Sequence, residues 1–259
     1  MSGAAFAAPE HYDGGSSMKK PQMIFFDYGH TLVYEPEQDY LRGARAVLSH
    51  AVKNPEGITP ERLNEEWSAL FSRAVNAMRP LDTETDGVKL DMAIYSAHGL
   101  VFDVDAYELD YLKWKAAEPI YPMEGIGALL EELHARGIRT AVISNLSYSG
   151  RALSRRINET LPGNHFEFIL ASSECFFRKP SPHIFASALG MAGLSAADAW
   201  FTGDDAAADI EGAAGAGIFP VWYRSPLKCT YKPASAREPE CCHLSVAHWD
   251  ELRRLISAL

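Results

Sequence analysis

The sequence predicts an α/β fold, a doubly wound parallel-sheet (Rossmann-like) core with an inserted all-helical cap domain. Three observations carry this prediction. The short apolar run Met23-Ile24-Phe25-Phe26 reads as a fully buried parallel strand. From Tyr121 onward, strand-like and helix-like segments alternate, the grammar of a parallel sheet covered on both faces. Between these parts lies a long stretch with helical spacing and no convincing strand. A lone strand cannot satisfy its backbone groups, so the first run must join the later sheet and the stretch between is an insertion. The expected organisation is a disordered extension over residues 1–20, a core built from residues 21–35 and 121–259, and a helical cap over residues 36–120.

Each element has its own signal. In the insertion, helices are expected over Tyr40–Val52, Thr59–Met78, Lys89–His98 and Asp105–Ala117. Thr59-Pro60-Glu61-Arg62 is a helix start, with Thr as cap and Pro in the first turn. Breaks fall at Asn54-Pro55-Glu56-Gly57, Arg79-Pro80 and Asp86-Gly87. In the core, an amphipathic helix over Gly125–Arg136 is closed by Gly137, and the strand Ile138–Ile143 ends in Ser144-Asn145. The unit repeats as a helix from about Ser149, strand Phe166–Ala171, helix Ser181–Met191, strand Ala199–Thr202, helix Ala206–Ala216 and strand Phe219–Tyr223. Arg224-Ser225-Pro226 ends that strand, and a loose stretch runs to Pro239. The closing helix, His248–Leu259, aligns Leu252, Leu255 and Ile256 on one face.

Composition narrows the function classes. A chain of 259 residues with 47% apolar content can bury one large core, or one core and a satellite. A formal charge of -10 argues against nucleic acid or an anionic membrane as the main partner, because phosphate contacts need clustered Lys and Arg. No run approaches the ~18 apolar residues of a membrane helix. Met1–Met18 lacks the basic start and apolar stretch of a signal peptide. Four cysteines are too few for a disulfide framework, which fits a reducing, cytoplasmic setting. Cys229, Cys241, Cys242 and His243 lack the C-x₂-C spacing of a zinc site, and the cysteines read as buried or idle thiols. The aromatics of the insertion, including Trp67, Phe71 and Trp114, read mainly as helix packing, while those near Tyr34 or Tyr40 are candidates to line a pocket.

Four polar signals each follow a predicted strand: Asp27, Ser144, the Lys179 segment, and Gly203-Asp204-Asp205 with Asp209 further on. The fold should bring them to the carboxyl edge of the sheet, where open α/β sheets bind ligands. In order and spacing, Asp27, Thr31, Ser144, Arg178-Lys179-Pro180-Ser181-Pro182 and Thr202-Gly203-Asp204-Asp205 resemble the motifs of the haloacid dehalogenase-like hydrolase superfamily, which includes many magnesium-dependent phosphatases. The resemblance implies Asp27 as nucleophile, with Lys179 and Ser144 assisting it. It implies Mg²⁺ held by Asp27, Asp204 and the Gly29 carbonyl, with Asp209 beside them. Ser144, Asn145, Lys179, Tyr28 and His30 are the implied contacts to a small phosphorylated substrate. The chemistry is charge management: a carboxylate attacking a phosphoryl dianion needs its oxygens neutralised first, and an aspartyl-phosphate then forms and is cleaved by water.

The pattern departs at one position. Phosphatases of the family carry an Asp two residues after the nucleophile to protonate the leaving group, and this chain has Gly29 there. General acid catalysis is worth about 10²- to 10⁴-fold, so another group must substitute or turnover is slow. His30 and Glu35 are the candidate substitutes. Two alternatives follow from the same residues: hydrolysis at carbon by Asp27, as in the dehalogenase branch, and a phosphometabolite-binding or regulatory protein with weak turnover.

Overall fold

The computed structural model describes residues 19–225, 227 and 237–259. The chain enters through β1 (Met23–Phe26), buried at all four residues. Next come β2 (Val33–Tyr34), α1 (Tyr40–Leu48), β3 (Ala51–Lys53), α2 (Pro60–Met78), α3 (Gly87–Ala97), β4 (Val101–Phe102) and α4 (Ala106–Ala117). The core resumes with β5 (Tyr121–Pro122), α5 (Ile126–Ala135), β6 (Arg139–Ser144), α6 (Gly150–Thr160), β7 (Ile169–Ala171), α7 (Ser172–Cys175) and α8 (Pro182–Ala192). It ends with β8 (Ala199–Gly203), a π-helical segment at Ala206–Glu211 leading into α9 (Gly212–Gly215), β9 (Phe219–Tyr223), β10 (Leu244–Val246) and α10 (Trp249–Ala258). The helices of the insertion start where the sequence supplies caps. Asp39, Thr59, Asp86 and Asp105 accept from the backbone N–H groups of Arg42, Arg62, Lys89 and Glu108. Such caps stabilise a helix by about 0.5–2 kcal/mol each.

Six strands form one sheet in the order β10-β9-β8-β1-β6-β7, and every neighbouring pair is parallel. From β1 the chain builds β6 and β7 on one side, then returns to place β8 on the other. The connections diverge at the carboxyl end of β1, which opens a crevice there. Side chains of β1 alternate between faces, as the period of a strand requires. Ile24 and Phe26 pack with Leu129, Val142 and Trp249, whereas Met23 and Phe25 pack with Ile143, Phe185 and Phe201. The insertion buries a third cluster of its own that includes Val47, Leu63, Trp67, Tyr95 and Leu109.

The elements differ from expectation in several places. The helix expected to reach Val52 stops at Leu48, because Ala51–Lys53 pairs antiparallel with Val101–Phe102, so the helical insertion also carries a small ribbon. The strand expected from Phe166 begins at Ile169, since Asn164 Oδ1 accepts the N–H of Phe166 and draws the chain into a turn. The helix expected over Ala206–Ala216 is π-helical through Glu211. Between the loose stretch, expected to run to Pro239, and the last helix lies an unexpected strand, β10, in which Leu244 lies beside Val221 and Val246 beside Tyr223. At three residues it is too short to show a period.

A second ribbon joins core and insertion. Val33 pairs with Pro122 and Tyr34 with Tyr121, and the two tyrosine rings stack at 5.6 Å. The outgoing and returning chains therefore lie side by side. Of the expected extension over residues 1–20, only Lys19 and Lys20 fall among the described residues, and Pro226 and Cys229 lie outside them. No helix among the described residues is long and apolar enough to cross a membrane.

Candidate active site

Asp27 continues β1 by one bond, its N–H donating to the Thr202 carbonyl at 2.9 Å. Its buried carboxylate meets Lys179, whose side chain is only 1% exposed. Lys179 Nζ donates to Asp27 Oδ1 at 2.6 Å and to the Ile143 carbonyl at 2.8 Å, and lies 2.7 Å from Asp209 Oδ1. Burial pulls the Lys179 pKa down, but the two carboxylates outweigh it and hold the pKa above its ordinary value, so the ammonium stays charged. The residue is also held by its backbone. Asn145 Nδ2 donates to the Lys179 carbonyl at 2.7 Å, and Asn145 Oδ1 accepts the Lys179 N–H at 2.8 Å. The expected substrate contact, Asn145, thus clamps the loop after β6 to the lysine segment.

The acidic motif is built by the exit of β8. Asp205 caps the π-helical segment by accepting from Ala207 and Ala208 N–H at 3.0 and 2.9 Å. Asp209, one turn later, points back and accepts the Asp205 N–H through Oδ2 at 3.0 Å. A Cβ at position 203 would collide with the Asp209 carboxylate, so only glycine permits this packing. Asp27, Asp204 and Asp209 each offer a carboxylate oxygen, and these atoms lie within 4.8 Å of one another. Hard divalent cations take oxygen donors of this type. Two hydroxyls, those of Thr31 in the turn after β1 and Thr202 in β8, are buried without a hydrogen-bond partner among the described residues.

A cavity of about 580 Å³ covers this edge, with Asp27, Gly29, Ser144, Lys179 and Asp209 on the core side and Tyr40, Phe71 and Trp114 on the insertion side. Tyr28, His30 and Asn145 line it too, so the candidate residues converge, and Asp204 adjoins them through the acidic group. The Tyr28 hydroxyl accepts from Arg156 Nε at 3.3 Å, and its ring meets Trp114 edge-on at 5.8 Å. Burial pushes the Tyr28 phenol above its ordinary pKa. Trp114 stacks on Tyr148 at 4.3 Å. Trp114 and Phe71 are therefore wall residues as well as packing residues. A readable signal existed for Trp114: it sits one turn before Glu118, which accepts its indole N–H at 2.7 Å, where the insertion returns to the core.

Gly29 leaves the space beside Asp27 without a side chain, and Glu35 fills the neighbourhood. A Cβ on Gly29 would lie 3.8 Å from Glu35 Oε1. Glu35 is buried, lines the same cavity as Asp27, and places Oε2 3.6 Å from His30 Nε2. His30 adopts a φ of 58°, a left-handed conformation that non-glycine residues rarely take. The cysteine region shows no comparable grouping among the described residues: His243 Nδ1 lies 2.8 Å from the Cys241 carbonyl, and Cys241 Sγ donates to the Ile210 carbonyl at 3.8 Å.

A family model described as haloacid dehalogenase-like hydrolase matches residues 22–217. The bovine haloacid dehalogenase-like hydrolase domain-containing protein 3 is 33% identical over 131 residues, covering 47% of this chain and 49% of that protein. The chain thus spans about half the length of this relative. A phosphoglycolate phosphatase of Pseudomonas fluorescens is 25% identical over 198 residues, covering 76% of this chain and 67% of its own. Among solved structures, a 2-haloacid dehalogenase from Pseudomonas syringae pv. Tomato superposes with a TM-score of 0.59 at 21% identity, covering 91% of this chain and 98% of that one. At that identity the likeness is one of fold.

Proposed function

The chain belongs to the haloacid dehalogenase-like hydrolase family, and from that premise we propose that it is a Mg²⁺-dependent phosphatase acting on a small phosphorylated metabolite through an aspartyl-phosphate on Asp27. The observation that carries this reading is the grouping of Asp27, Asp204 and Asp209 around Lys179. Three carboxylates against one ammonium suit a hard cation and would repel a phosphoryl dianion in its absence. Displacement of halide from carbon needs no cation, so the grouping favours phosphoryl transfer over the dehalogenase alternative. A mere phosphate-binding protein would gain nothing from carboxylates facing its ligand.

Asp27, Asp204 and the Gly29 carbonyl would hold Mg²⁺, with Asp209 at their flank. When bound, the ion supplies neutralisation of the phosphoryl oxygens. The Asp27 carboxylate bonds to phosphorus as the ester P–O bond breaks, and Lys179 keeps that carboxylate oriented. Lys179 and the Ser144 hydroxyl bind phosphoryl oxygens, and Asn145 is the positioning residue for Lys179. Tyr28 and His30 line the side from which the alcohol departs. Glu35 replaces the acid that Gly29 cannot supply: it gives its proton to the departing oxygen, then as carboxylate takes one from the water that hydrolyses the aspartyl-phosphate.

The test is a screen of phosphorylated metabolites with and without Mg²⁺, with Asp27→Asn as control. Phosphate release should require the metal and vanish in the variant. Turnover that survives chelation, or survives Asp27→Asn, would overturn the reading.

A further inference from the structure

Beside the reaction cavity lies a second chamber of about 200 Å³, walled by Trp67 and Leu70 of α2, Leu90 and Ile94 of α3, and Lys113 of α4. It shares Tyr40, Phe71, Ser147 and Tyr148 with the reaction cavity, so the two adjoin along these residues. We propose that this chamber receives the non-phosphate end of the substrate, and that this end is an uncharged, ring-sized apolar group. The inference rests on the phosphatase reading and names the substrate class of that same site.

Size and charge each support it. A cavity of roughly 150 Å³ lined by apolar side chains accommodates benzene, so this chamber holds a ring and a few attached atoms. Its charged groups, Lys113 and Asp91, bond to each other and are both largely buried. The Lys113 ammonium also lies 5.0 Å from the Trp67 ring and 5.3 Å from the Tyr148 ring. A paired ammonium offers little to a carboxylate or a second phosphate, which would have to shed its water on entering.

The experiment compares 2-phenylethyl phosphate with ethyl phosphate, whose departing alcohols are of similar acidity. The kcat/KM ratio should be at least about tenfold in favour of the phenylethyl ester, the discrimination that apolar pockets reach. Leu90→Trp, which fills the chamber, should bring that ratio near one. Asn64→Trp at the half-buried rim serves if the first variant fails to fold. Calorimetry provides the independent arm, using 2-phenylethylphosphonate, ethylphosphonate and 2-phenylethanol, none of which can be hydrolysed. Equal rates for the two esters, or equal binding of the two phosphonates, would overturn the chamber assignment. Binding of 2-phenylethanol that Leu90→Trp abolishes, with neither ester hydrolysed, would uphold the chamber and overturn the phosphatase reading instead.

Discussion

Glu35→Gln keeps the size of the side chain beside His30 and removes its capacity to carry a proton. For an alkyl phosphate, whose alcohol cannot leave as an anion, loss of a general acid should lower kcat by about 10²- to 10⁴-fold, or about 3–5 kcal/mol of barrier. A nitrophenyl ester leaves without a proton, so its first step should be nearly untouched. On the proposed role of Glu35 in activating the water of the second step, the variant should release one nitrophenolate per site in a rapid burst and then slow down. Rapid-mixing kinetics with both esters reads this split. The structure also supplies the complement. Gly29 is not in the left-handed region, and a Cβ there meets Glu35 Oε1 at an ordinary 3.8 Å, so neither the backbone nor the Cβ position opposes Gly29→Asp. In the Glu35→Gln background it should restore alkyl ester turnover by at least about tenfold. The reasoning is refuted if Glu35→Gln slows the burst and the alkyl reaction equally, or if the added Asp rescues nothing.

Other expectations follow from the same contacts. Lys179→Met leaves Asp27 and Asp209 without the ammonium between them, and should destabilise the protein by about 3–5 kcal/mol in urea with chelator present. Mg²⁺ should recover part of that loss, and an unchanged midpoint would contradict it. Asn145→Ala removes both bonds to the Lys179 backbone. It should reduce stability by about 1–3 kcal/mol and lower kcat more than it changes KM, whereas an effect on KM alone would count against a positioning role. Burial pushes the Asp91 carboxyl up to about 6 against the pull of Lys113. The folded state therefore takes up this proton more readily than the unfolded chain, so between about pH 4 and about pH 6 stability falls as pH rises, by at most about 1.4 kcal/mol per pH unit. Asp91→Asn lacks that slope, and urea unfolding should shift relative to wild type in the variant's favour as pH rises from about 4 to about 6. A difference independent of pH would contradict the assignment.

Much of the core was legible because long-range order follows local pattern there. β1, β6, β8 and β9 each carry an apolar run that ends in a polar turn, and parallel topology then forces Asp27, Ser144 and Asp204 to one edge. Features made by contacts distant in sequence were not legible. β10 has three residues and exists because β9 offers it an open edge. Glu35 could be weighed only as one acid among several, since its approach to Gly29 depends on how the chain turns after β2. Asn145 reads as a ligand-facing polar residue until the Lys179 backbone is brought beside it across 34 positions. Trp67 and Phe71 read as packing because helical spacing reports burial and says nothing about which buried faces border a void.

The paired passage of Val33–Tyr34 and Tyr121–Pro122 has a mechanical consequence. Two tethers fastened together act as one axle, so any swing of the four-helix roof turns about that line instead of drifting on two slack cords. Tyr40, Phe71 and Leu90 would ride on the arm in such a swing, whereas Glu35 sits one residue beyond the pivot, where displacement would be least. On the proposed reading, admission of the guest and protonation of its departing oxygen would fall at different ends of a lever.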